Sequence, residues 1–120
     1  MCLLGPSGCG KTTALRLIAG LEVPDKGKIF INNCLVSSDK NILKETPERG
    51  IGIVFQDLSL FPHLNIFQNV SYALHEFGNE RMKERANYLL DCVGMLPFRE
   101  KYPHMISGGE QQRVAIARAL

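Results

Sequence analysis

Nine consecutive residues near the start of the chain, Gly5-Pro6-Ser7-Gly8-Cys9-Gly10-Lys11-Thr12-Thr13, have the types and spacing to hold a chain of phosphates. They read G-x-x-x-x-G-K-[ST]. Gly5, Gly8 and Gly10 free the backbone from the restrictions of a Cβ. Successive N–H groups can therefore turn into one anion-binding hollow. Lys11 brings a mobile positive charge to the outer phosphates, and Thr12 offers a hydroxyl to Mg²⁺. The helix expected through Thr13 to Ala19 aims its positive dipole end at the same place. Cys9 sits inside this loop at a helix start, a setting that activates thiols. It is expected to react with a maleimide and to be protected by bound nucleotide.

Two later stretches carry further polar chemistry. Gln56 ends the apolar run Ile51-Gly52-Ile53-Val54-Phe55. That run reads as a strand buried on both faces, as in a parallel sheet. A polar residue at such a strand's carboxyl end is where open α/β sheets place ligand contacts. Ser107-Gly108-Gly109-Glu110 reads S-x-x-E, a capping box. Its two glycines leave the first-turn N–H groups bare, which makes a second anion-binding helix start. A capping box alone marks only the beginning of a helix.

The elements around these residues follow from pattern. Cys2-Leu3-Leu4 reads as the end of a buried strand before the loop, and Ala14, Leu15, Ile18 and Ala19 as a helical stripe after it. Gly20 is placed to terminate that helix. Glu22 to Gly27 is a turn cluster. Lys28-Ile29-Phe30-Ile31 and Cys34-Leu35-Val36 read as a hairpin about Asn32-Asn33. Ser37 to Arg49 is polar and without period, and reads as loop. Asp57 to Leu64 is an unusually apolar loop, which either folds onto the core or offers a docking patch. Asn65 is placed to cap a helix whose apolar face is Ile66, Val70, Ala73, Leu74 and Phe77. Gly78 stops it. Asn79 is expected to cap a second helix with Met82, Ala86, Leu89, Leu90 and Val93 on one face, ended by Gly94.

Bulk properties narrow the function classes. The 120 residues suit one domain, and 45% hydrophobic content supports a core. A net charge of +2 with no basic block gives no sign of nucleic-acid binding. No apolar run reaches the ~18 residues of a membrane span. Cys2, Cys9, Cys34 and Cys92 lack zinc-type spacing, which fits a reducing compartment.

Together the three motifs resemble the nucleotide-binding subunit of an ATP-binding cassette transporter over nearly the whole chain. Gly5 to Thr13 resembles its Walker A loop, Gln56 its Q-loop glutamine, and Ile106 to Glu110 its signature. Phe61-Pro62-His63-Leu64 and Tyr102-Pro103-His104 look most like the bacterial importer branch for ferric iron, polyamines and sulfate. The resemblance implies an α/β fold, a partial P-loop NTPase (RecA-like) parallel-sheet core with a helical insertion. Its parts would be a core over 1–64, a helical subdomain over 65–106, and the signature with its helix over 107–120.

It also implies a function. ATP is the substrate and Mg²⁺ the cofactor. Gly5, Pro6, Ser7, Gly8, Cys9, Gly10, Lys11, Thr12, Thr13 and Gln56 form the nucleotide site, with Lys11 and Gln56 in the catalytic set and Thr12 and Gln56 toward Mg²⁺. Ser107, Gly108, Gly109 and Glu110 serve the nucleotide of a second copy. The implied partners are that second subunit, an integral membrane permease and a periplasmic or extracellular solute-binding protein, with no nucleic acid. The implied place is the cytoplasmic face of the cell membrane, and the implied cargo ferric iron or polyamine. A soluble cassette ATPase and a non-hydrolysing nucleotide-binding piece are the alternatives.

Two departures stand out. Ile106 and Glu110 occupy places where the family usually has Leu and Gln. Glu110 either turns back to cap its own helix or faces the nucleotide with a negative charge. In addition, the family's Walker B aspartate, catalytic glutamate and switch histidine have no position here, nor do the earlier part of the strand before the loop and the aromatic that stacks on adenine. The expectation is a partial domain that does not turn over ATP alone.

Overall fold

A computed structural model describes residues 3–120, with the side chains of residues 75–77 excepted. The chain forms two compact units, one running to Ile51 and the other from Gly52 to Leu120.

In the first unit, helix α1 (Lys11–Ala19) follows the glycine-rich loop and ends at Gly20, whose φ of 80° is left-handed. The amides of Gly20 and Leu21 return to the carbonyls of Leu17 and Arg16, closing the last turn. Strands β1 (Lys28–Ile31) and β2 (Cys34–Ser38) form the expected hairpin. Asn32 and Asn33 both have positive φ, as the tight turn between twisted strands requires. β2 turns again through Asp39 and Lys40 into a two-residue strand, β3 (Asn41–Ile42), so the sheet is antiparallel in the order β1-β2-β3.

Arg49 organises this unit, within a stretch expected to be plain loop. It is only 5% exposed. Its guanidinium donates to the carbonyls of Leu17 (3.1 Å) and Ile18 (2.7 Å) at the end of α1, of Lys44 (2.9 Å), and of Val36 (3.2 Å), and to Ser37 Oγ (2.7 Å). A cation at a helix C-terminus complements the dipole. Here the same group also pins α1 to β2. Gly20 makes room for it: a Cβ there would lie 2.6 Å from Arg49 Nε.

The expected strand at Ile51 to Phe55 does not form. Ile51, Val54 and Phe55 are exposed, and the only sheet among the described residues is the antiparallel one. A β-branched run supplies propensity, but a strand exists only where another strand takes its hydrogen bonds. Leu3 and Leu4 likewise form no strand and are exposed, while Cys2 lies outside the described residues.

The second unit is helical. Helix α2 (Ile66–Ser71) continues as a tighter 3-10 turn over Tyr72–Phe77. Helix α3 (Asn79–Cys92) and helix α4 (Gly108–Ala119) complete it. Asn65 caps α2 as expected: its side chain accepts from the amide of Gln68 at 2.7 Å, and Gln68 answers by accepting from the amide of Asn65 at 2.9 Å. The cap before α3 is Gly78, not Asn79. Gly78 has a φ of 77°, a conformation that favours glycine, and Asn79 is already helical. α3 ends at Gly94 as expected, with the amides of Gly94 and Met95 bonded back to Asp91 and Leu90.

The apolar spacings meet in one core. Ile66, Val70 and Leu74 from α2 and its extension pack with Ala86, Leu89 and Leu90 of α3, with Met95, and with Val114 and Ala117 of α4. Met82, Val93, Leu60 and Phe98 close its edges. Ala73 points outward, and Phe77 belongs to the side chains not described.

Candidate functional site

The loop before α1 has the conformation that its glycines allow. Gly8 and Gly10 take φ of 82° and 91°, both left-handed. At Gly5 the restriction is space, since a Cβ there would stand 2.7 Å from Cys9 Sγ. Residues 3–10 are exposed, and so are Thr12 and Thr13. Gly10 stands at the cap position of α1 without a side chain to bond the first-turn amides, and no acidic residue occupies that turn. The positive end of the helix is therefore open to an anion.

Lys11 lies across this opening. Its Nζ donates to the carbonyls of Gly5 (2.7 Å) and Pro6 (2.6 Å) and to Cys9 Sγ (3.4 Å). The ammonium charge is held over the loop by contacts that phosphate oxygens can replace. Cys9 is a free, exposed thiol beside it. Thr12 presents its hydroxyl one residue beyond Lys11. A hard oxygen donor at an uncapped helix start, with no acidic neighbour in that turn, fits a phosphate-bound Mg²⁺, which keeps most of its ligands as waters and phosphate oxygens.

The second unit contains the other expected residues. Gln56 is exposed, in a turn directly after Phe55. The chain then passes through Leu58 and Ser59, both with positive φ. Ser59 Oγ donates to Asp57 Oδ1 at 2.7 Å. Two residues not singled out by sequence hold this loop. Asn69, fully buried on α2, accepts from the amide of Phe61 (2.8 Å) and donates to the carbonyls of Phe61, Leu64 and Asn65. Arg118, in the last turn of α4, donates to the carbonyls of Ser59 (2.6 Å) and Leu58 (3.0 Å), and its guanidinium lies 5.6 Å from the centre of the Phe61 ring. Burial pulls Arg118 below its ordinary pKa. Neither residue breaks the surrounding helical pattern, so only the position of Arg118 near a helix end hinted at a carbonyl partner.

Ser107 begins α4 as the capping box requires. Its amide donates to Glu110 Oε2 at 2.7 Å, its hydroxyl donates to the same oxygen at 2.9 Å, and the amide of Glu110 donates back to Ser107 Oγ at 3.4 Å. Of the two orientations open to Glu110, the chain adopts the inward one. The hydrogen bonds from Ser107 hold the Glu110 carboxyl below its ordinary pKa, with smaller help from Arg113 and Lys101. The cap therefore contributes fully above the ordinary carboxylate range and is lost as pH falls through the lowered value. Gly108 and Gly109 are exposed, and nothing lies within 4 Å of where a Cβ would stand on either.

The family model described as ABC transporter matches residues 1–120. The chain belongs to the ABC transporter family. An Fe(3+) ions import ATP-binding protein of Photorhabdus laumondii is 49% identical over 98% of this chain and 33% of its own length. A sulfate/thiosulfate import ATP-binding protein of Chromobacterium violaceum is 49% identical over all of this chain and 32% of its own. The chain thus spans about a third of the curated relatives it matches. Among solved structures, the dimeric post-hydrolysis state of the ATP-binding cassette MJ0796 with ADP and Pi superposes with a TM-score of 0.78. It is 35% identical over 96% of this chain and 53% of that one. The ABC cassette fold is accordingly an α/β P-loop NTPase fold, present here in part.

Proposed function

We propose that this chain is the nucleotide-binding part of a subunit that couples ATP binding and hydrolysis to solute import through a membrane permease. The loop from Gly5 to Thr13 carries the proposal: two left-handed glycines, an uncapped helix start and the Lys11 ammonium converge on one exposed hollow. In this reading the loop amides and Lys11 hold the ATP phosphates. Thr12 and Gln56 would hold Mg²⁺, which supplies charge neutralisation at the transferred phosphate. Lys11 and Gln56 act by position and charge, as phosphoryl transfer requires.

Ser107, Gly108, Gly109 and Glu110 close over the ATP of a second copy. The dimeric state of the matching cassette supports this pairing. The loop from Asp57 to Leu64, braced by Asn69 and Arg118, docks with the helical segment 65–106 on the permease, and the core over 1–64 carries the nucleotide. Ferric iron or polyamine is the proposed cargo, and the names of iron and sulfate importers among the relatives favour a small inorganic ion. The subunit works on the cytoplasmic face of the membrane with a solute-binding protein outside. Among the described residues no helix is long and apolar enough to cross a membrane.

The test is ATP binding by a complete subunit carrying this sequence. Lys11→Ala should weaken binding at least about tenfold, the scale of a lost charge-assisted contact to phosphate. Unchanged binding would overturn the assignment of the loop.

A further inference from the structure

Ser107 has one hydroxyl proton, and in this chain it is committed. The hydroxyl donates to Glu110 Oε2 at 2.9 Å, and the Ser107 amide donates to the same oxygen at 2.7 Å. The carboxylate thereby sits at the start of α4, the place where the helix dipole and the bare amides of Gly108 and Gly109 would favour an anion from outside. A glutamine at this position could close the same capping box. It would do so without a negative charge and with a weaker hold on the serine proton, because hydrogen bonds to an ionised acceptor are the stronger ones.

We propose that Glu110 is a positioning residue that sets how tightly the Ser107 to Gly109 segment takes a phosphate, by acting as an internal anion that must be displaced first. The proposal rests on the reading that this segment closes over the ATP of a second copy. Closure then requires two changes at once: Ser107 must turn its proton from Glu110 to the phosphate, and Glu110 must leave the helix start or become neutral. A carboxyl that loses its donors and meets a phosphate holds its proton more tightly than before. Closure is therefore coupled to proton uptake, and it strengthens as pH falls toward the carboxylate range. The charged groups facing Glu110 are Arg113 on α4 and Lys101 in the preceding segment.

The experiment measures ATP-driven dimerisation of a complete subunit carrying this sequence, by sedimentation at about pH 5 to 8, for the natural protein and for Glu110→Gln. Protonation of ATP itself affects both alike. The expected result is dimerisation of the variant at about five- to tenfold lower ATP near neutral pH. Its pH response should be flatter than that of the natural protein, and its thermal midpoint only slightly lower because the capping box persists without its charge. Equal ATP requirement and equal pH response, with Lys11→Ala abolishing dimerisation in both, would overturn the role of Glu110 alone. Absence of ATP-driven dimerisation in natural and variant subunits, unaffected by Lys11→Ala, would overturn the trans-closure reading and this proposal with it.

Discussion

Each of the two units is held together internally by a different chemistry. The second is an apolar assembly: among the described residues, nine buried ones from three helices and one connecting turn pack together. Among the described residues of the first, the buried hydrophobic side chains are Ala19 and Val36, and one cation, Arg49, bonds a helix end, a strand and a turn. The difference teaches where each unit is vulnerable. An apolar core spreads its stabilisation over many contacts, whereas a polar hub concentrates it in one side chain whose loss strands every partner.

The largest predicted effect tests that concentration. Arg49→Met should destabilise the complete subunit by about 3–5 kcal/mol, because several buried carbonyls lose their donor at once. Hydrogen exchange should show the loss at β2 and the end of α1. Equal loss of protection in α4 would break the contrast between the units. Arg49→Lys should recover little, since a single ammonium cannot serve acceptors on a helix and a strand together. Next, Leu90→Ala should cost about 3 kcal/mol in urea unfolding, within the usual range for a fully buried leucine. A cost larger than that of Arg49→Met would reverse the ranking.

Asn69→Ala should cost about 2 kcal/mol by leaving the Phe61 amide and its neighbouring carbonyls unpaired. It should also speed proteolysis between Asp57 and Leu64, and an unchanged cleavage rate there would remove Asn69 from the brace. The smallest effect is expected for Ser107→Ala. It should cost about 1 kcal/mol, the ordinary worth of an N-cap, and be visible as faster exchange in the first turn of α4 only.

The same contrast decides what the sequence made legible. Stripes of apolar residues at helical spacing announced α2 and α3, because burial and period are both written in residue type. The phosphate loop, the Asn32-Asn33 hairpin and the Ser107–Glu110 box were legible because special backbone conformations demand particular residues. Arg49 was not, since an arginine in a polar stretch looks like any solvated one until the carbonyls around it are known. Ile51 to Phe55 failed in the other direction. Its composition is that of a buried strand, yet pairing depends on a neighbour, which residue type alone does not supply. Glu110 was legible as a choice between two orientations, and the geometry of Ser107 selected one.

The grip of Arg118 on Leu58 and Ser59 has a mechanical consequence. Both of those residues already occupy left-handed backbone, which leaves non-glycine side chains little latitude to yield. The loop beyond Gln56 is therefore fastened to α4 through its backbone carbonyls. That helix is a rod of about 18 Å with no proline and no glycine beyond its first turn. Its far end is Ser107 and Glu110. The two ends of one helix thus carry the anchor of the loop that follows Gln56 and the Ser107–Glu110 capping box.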